Sequence, residues 1–485
     1  HGNSITNYSR HCGGKGLFYL VPRAELATQH STSDLRGLPP QYLVNARAKA
    51  RDNGRSAVVV TSGVIPFAAF DGVGGIKGLF QMDGVLNGDL VTITSTAVYR
   101  TTKAGVTSLI GAITAPDKCR IAASVTEIIV VTGGNAYQVL SGGVNQLLDP
   151  DLGYVVDVVY LAGVFVYVSK DSDRIKWSEV LNGAVIAPAS FATAESKPDR
   201  LRGCAVVADD LVLLGYETTE VWGKTGVITA PFQPRDGSIS SIGCASLHSI
   251  VTFGDSGAGN RVAWLGNDRI IRSSSGGGAE QISNQSLNEE LQGLSEAELE
   301  AVNAFSFNED GAWFVCYQLP NTTWVFDVSL ALWHTRSGLD TPWLVNSACE
   351  AWGKQIVGRA DVNAVGYLDA ETETDFNERI RRVFSAYFPN DAGYLPISSV
   401  TLRTSLGRNA IVATDALIWL DWSDNRGETW FTKRSKSLGL QGNYKSSVSW
   451  SPCGSTRNVG RVFRFEITDP YSLTISSVVI NEVMA

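Results

Sequence analysis

Seven aromatic residues, Tyr99, Tyr137, Trp177, Trp222, Trp264, Trp324 and Tyr367, stand 38, 40, 45, 42, 60 and 43 positions apart along the chain. An interval of about 40 residues is the length of one four-stranded blade. Around each aromatic the sequence reads as a hairpin: a run of β-branched residues, a Gly/Ser/Asn/Asp turn, and a return strand carrying the aromatic. Residues 90–93 lead to Tyr99, 128–131 turn through 133–135 to Tyr137, 164–168 turn through 170–174 to Trp177, and 211–214 lead to Trp222. The hairpin at 356–367 is the weakest copy. One hairpin has too little apolar area to stand alone, whereas blades stacked around an axis bury one another. The expectation is an all-β chain with a β-propeller over 75–375, of about seven blades, or six if the last hairpin belongs to an inter-domain sheet.

The long interval before Trp324 holds a helical pattern, in which Leu287, Leu291, Leu294 and Leu299 recur at helical spacing and Ser295 with Glu298 forms a capping box. It predicts a helical insertion over about 284–303, with Glu289, Glu290, Glu296 and Glu300 on a solvated face. After about 375 the rhythm changes to strands with longer loops, so 376–485 is expected to be a β-sandwich-like domain, and 1–74 an N-terminal arm with first strands. The 48 glycines and 18% charged residues fit a turn-rich β protein better than a helical or disordered one.

Net charge is -8 and no dense Lys/Arg run occurs, which removes the usual electrostatic footprint of a nucleic-acid gripper. Cysteines 12, 119, 204, 244, 316, 349 and 453 never fall at CxxC spacing, so reduced thiols are expected rather than a zinc site or disulfide framework. There is neither an apolar run of membrane-spanning length nor a secretory pattern, and the protein is expected in solution.

No motif carries chemistry convincingly. Residues 254–259, with Ser256, look like a trypsin-type nucleophile loop, but His11 lies far away in a Gly-rich arm, so a turn is the better reading. The histidines at 1, 11, 30, 248 and 334 lack metal-ligand spacing, and Gly72, Gly74, Gly75 and Gly78 do not form a phosphate loop. Catalytic, metal and cofactor residues are therefore read as none. Residues 423–430 are more specific: Ser423, Asn425, Gly427, Thr429 and Trp430 match an Asp-box, with Asn425 in the Asp place. In that turn the polar side chains bond the backbone and the Trp packs beneath. Trp430 is accordingly expected to anchor a core, its truncation to Ala costing about 3 to 5 kcal/mol. Asp-boxes also occur in sialidase propellers, so a carbohydrate-active enzyme or a glycan-binding propeller is the alternative function; a carboxylate pair would leave no local spacing signal.

The chain resembles the packaged-DNA stabilisation protein, or tail hub (nozzle), of short-tailed phages of the Salmonella lambdoid type. The ordered stretches are 75–84 leading to 98–100, 199–203 leading to 220–222 and Gly226, then 294–299, 422–430 and 460–470. The resemblance implies a non-enzymatic virion protein assembled in the host cytoplasm. It implies a homohexameric ring below the portal and its adaptor, which closes the channel, retains packaged DNA until ejection, and carries a needle or plug and tailspikes or fibres. DNA would pass its lumen without specific binding, which suits a net-acidic chain, because every Lys/Arg–phosphate contact adds friction.

Overall fold

The computed structural model describes residues 22–32, 39–50, 56–194, 199–254, 261–390, 393–405, 415–439, 447–457 and 460–481. The chain forms two compact units. One consists of 64–331 and 342–368, the other of 1–63, 332–341 and 369–485.

The first unit is a propeller. Five antiparallel sheets of four strands follow one another, with inner strands Gly78–Phe80, Arg120–Ala123, Val155–Leu161, Leu201–Val207 and Val251–Phe253. Asn303–Glu309, Ala312–Gln318 and Thr323–Asp327 make the three strands that a sixth blade has within this unit. The seventh contains Val345–Ala351, Lys354–Arg359 and Val362–Asp369, and its outer strand is Gly63–Val73, from far upstream. That strand lies outside the 75–375 boundary read from sequence, because its partner is not local and leaves no hairpin signal.

Tight turns make the blades narrow. The inner hairpins of blades three, four, six and seven all pair residues separated by two: Leu161 with Val164, Val207 with Asp210, Glu309 with Ala312, and Ala351 with Lys354. Trp352 and Gly353 both take positive φ, the mirror-image turn whose twist matches that of the flanking strands. Apolar side chains of adjacent blades then share clusters. Val166, Trp177, Cys204, Leu213, Trp222 and Phe232 fill the space between blades three and four. Each such fully buried side chain is worth roughly 1.5–3 kcal/mol.

Blade seven meets blade one through Phe70 against Tyr99, with ring centroids 5.0 Å apart, and through Trp352 Nε1, which donates to Gly88 O at 3.0 Å. Gly75, at φ +72°, lies where a Cβ would sit 2.0 Å from Ala360 O, so only glycine fits this junction.

Among the described residues the α-helices are α1, Gln285–Gln292, and α2, Glu296–Glu300. Asn284 caps α1, Ser295 and Glu298 form the capping box of α2, and Leu287, Leu291 and Leu299 are buried. The acidic residues are less idle than a solvated face. Glu296 and Glu300 pair with Arg269 and Arg202, and Glu290 accepts the Trp324 indole N–H at 2.7 Å.

The second unit is a sandwich built from both ends of the chain. One sheet runs Ala46–Ala50, Ser56–Val60, Thr474–Ile480, Val400–Thr404, Val448–Trp450. The other contains Leu43–Val44, Arg382–Phe388, Arg461–Ile467, Leu417–Ser423 and Arg434–Ser437. Arg23–Leu26 pairs with a strand of each sheet. Phe384 stacks on Phe465 at 5.0 Å and Trp450 packs beside them, at the centre of the core. The N-terminal strands therefore belong to the sandwich, where the sequence reading had placed only 376–485.

Candidate functional site in the propeller channel

The inner strands of all seven blades surround a cavity of 680 Å³. Its lining carries Lys77, Lys118, Arg120 and His248, and among the lining residues there is no Asp or Glu. Two devices of the backbone set these side chains. The inner strands of blades three, four and seven each carry a bulge near their start, which skips Val156, Arg202 and Asn346. A bulged residue leaves the ladder, so its polar groups are free for other partners. The Asn346 carbonyl uses this freedom to accept from Lys118 Nζ and, at 2.9 Å, from Asn303 Nδ2. Its side-chain amide donates to Ile76 O at 2.9 Å. Asn346 thus ties together four points around the ring.

The second device is a buried ion pair. Arg120 holds Asp157 bidentately at 2.7 and 3.1 Å and donates to Ile250 O at 3.0 Å. Asp157 also accepts the N–H groups of Val158 and Cys204 at 2.8 and 2.9 Å. Its Oδ2 comes within 2.8 Å of where a Cβ of residue 203 would be, so Gly203 makes the pair possible. Burial, with Lys77 nearby, lowers Lys118 to about 7. Burial, with Arg120 and Lys118 nearby, lowers His248 to about 3 and keeps it neutral.

The residues singled out from sequence lie elsewhere. Tyr99, Tyr137, Trp177, Trp222, Trp324 and Tyr367 occupy the third strands of their blades, away from the channel lining. Trp264 is on the second strand of blade five, opposite Arg272, which makes the aromatic spacing uneven there. Its indole donates to Gly243 O at 3.2 Å. Ser256, His1, His11 and Cys12 fall outside the described residues. His30 and His334 are in the sandwich unit, and no group of three potential metal ligands occurs among the described residues. Cysteines 119, 204, 244, 316, 349 and 453 form no disulfide. The channel lysines were missed from sequence because they are isolated, and only the ring brings them together.

In the sandwich, residues 423–430 form the turn. Ser423 Oγ accepts from Gly427 N at 2.8 Å, and Asn425 Oδ1 accepts from Thr429 N at 2.9 Å, while Asn425 Nδ2 donates to Thr429 Oγ1 at 2.9 Å. Asn425 fills the Asp place by accepting with its oxygen and donating with its amide. Trp430, however, is not a core anchor. It is half-buried, with the Arg464 guanidinium 3.7 Å above its ring and Tyr42 edge-on at 5.8 Å. The buried indole is that of Trp422, stacked on Phe431.

Two family profiles match the chain: bacteriophage P22 Gp10, β-propeller, over residues 40–373, and bacteriophage P22 Gp10, β-sandwich, over 380–482. The chain belongs to the P22 Gp10 family. It is a structural phage-tail protein of the family that stabilises packaged DNA. As a Gp10-family member it is a virion component. No curated protein sequence matches it. Among solved structures it is similar to the computationally designed Ika8 protein at 15% identity and TM-score 0.39, covering 71% of this chain and 100% of that one. It is similar to the AfRom2 CNH domain at 9% identity and TM-score 0.41, covering 63% and 98%. Similarity at that level says nothing about what the chain does.

Proposed function

We propose that this Gp10-family chain acts without catalysis, as the subunit of a homohexameric ring below the portal and adaptor of a short phage tail. In that place it closes the channel on packaged DNA and carries the needle or plug and the tailspikes or fibres. The observation that carries the reading is the pair of family matches, one on each structural unit, which together take in most of the chain. The architecture supports it. A propeller has rigid faces and short protected edges suited to ring assembly. Electron microscopy of the purified chain, alone and mixed with a portal–adaptor complex, tests it: rings that seat on the adaptor are expected, and monomers that never join it would overturn the assembly reading. The non-catalytic part is tested separately by a panel of sialosides and glycans, on which no turnover is expected.

A further inference from the structure

We propose that the propeller channel is a binding site for a small oxyanion of the phosphate class, held by the ammonium groups of Lys77 and Lys118 beside Arg120 and His248. This goes beyond the tail-hub reading and does not depend on hexamer formation.

The argument begins with charge. Lys77 and Lys118 both line the cavity, and its lining has no carboxylate. Arg120 is already matched by Asp157, behind the lining. Lys118 has only a neutral acceptor, the bulged carbonyl of Asn346, and Lys77 makes no side-chain hydrogen bond or ion pair among the described residues. Like charges held in one cavity repel, and burial strips hydration from the Lys118 ammonium, a cost that an anion beside it reduces. Proximity is set by the backbone: Cys119 N donates to Lys77 O at 2.9 Å, which brings Lys77 and Lys118 to the start of neighbouring inner strands. Size permits the ligand, since 680 Å³ is room for about twenty waters. The hydroxyls of Ser306 and Ser347 already donate to Thr252 O and Asn346 Oδ1, so the lysine ammonium groups are left as the donors for the oxyanion.

A pH dependence follows. His248, at about 3, and the Cys119 thiol, pushed to about 12, keep their states near neutrality, while Lys118, at about 7, changes. Lys77, Arg120 and Asp157 supply the remaining charge around it. Oxyanion affinity is therefore expected to fall as pH rises through about 7.

The test is calorimetric titration of the full chain with sodium phosphate against sodium chloride at matched ionic strength, at a pH of about 6. Saturable binding of one phosphate per chain is expected, weakened about tenfold or more in Lys77→Gln and in Lys118→Gln, the scale of one lost charge-assisted hydrogen bond. Lys224→Gln, whose lysine pairs with Asp209 away from the channel lining, should bind like the parent. Without phosphate, Lys77→Gln should melt no lower than the parent, because it removes a repulsion and no hydrogen bond, whereas Lys118→Gln also gives up the bond to Asn346 O. Absence of saturable heat, or an equal loss in Lys224→Gln, overturns the proposal. If one channel variant fails to fold, the other decides. Tungstate soaked into crystals must then appear between the inner strands; tungstate found only elsewhere also overturns it.

Discussion

Asp157 takes four bonds with one carboxylate: two from Arg120 and two from the backbone. Removing it strands a guanidinium inside the ring, so Asp157→Ala is expected to cost about 3–5 kcal/mol in urea unfolding of the propeller. Trp430 belongs at the other end of the scale. Its ring is covered by Arg464 and Tyr42 rather than by a core, so Trp430→Ala should cost about 1–2 kcal/mol, whereas Trp450→Ala, inside the core, should cost about 3–5. Denaturation followed by tryptophan fluorescence separates the two. His30 sets a pH limit on the same unit. Burial holds it down to about 4, and its Nδ1, which accepts from Leu43 N at 3.2 Å, is an acceptor only while unprotonated; the unfolded chain takes a proton near the ordinary value of 6.5. Below 6.5 the unfolded state binds the extra proton, so stability is lost as pH falls from about 6.5 to 4. His334, also buried and lowered, acts in the same direction. The urea midpoint should drop across that window, and His30→Gln, which keeps an acceptor, should make the drop shallower.

At the level of elements, the junction of the first and last blades is the least tolerant point. A Cβ at residue 75 would strike the Ala360 carbonyl and also strain a positive φ, so Gly75→Ala is expected to destabilise the propeller by more than about 3 kcal/mol, read as a lowered melting temperature. Local elements were legible in the sequence because their signals are local. The capping box at Ser295, the two-residue turns and the aromatic strands all depend on neighbours within a few positions. Pairings between distant segments were not. Nothing in 63–73 announces that it completes a blade with 362–369, and nothing in Arg23–Leu26 announces a place in a sandwich with 382–388 and 474–480. The same reason hides the channel charge. Lys77 and Lys118 are 41 positions apart, about one blade, and meet only because blades are arranged about an axis. The Trp430 reading failed for a different reason: the motif specifies the turn, whereas burial of its Trp depends on the sheet beneath.

For the whole molecule, a Gp10-family subunit consists of a closed ring and a sandwich that each draw on both early and late parts of the chain. Neither unit corresponds to one continuous stretch of sequence. Truncation after residue 375 should therefore leave the early hairpin of 46–50 and 56–60 without its neighbour 474–480, and the product, with that edge open, is expected to aggregate rather than yield a clean propeller, as size-exclusion chromatography would show. The upstream strand that completes the last blade has a further consequence during synthesis. Gly63–Val73 leaves the ribosome nearly 300 residues before Val362–Asp369, its partner. At translation rates of about 5–20 residues per second, that is a wait of roughly 15–60 s. For that time the segment has neither of the downstream strands it lies between, Val362–Asp369 and Thr374–Asp375, and the order of synthesis makes it the last part of the propeller to be paired.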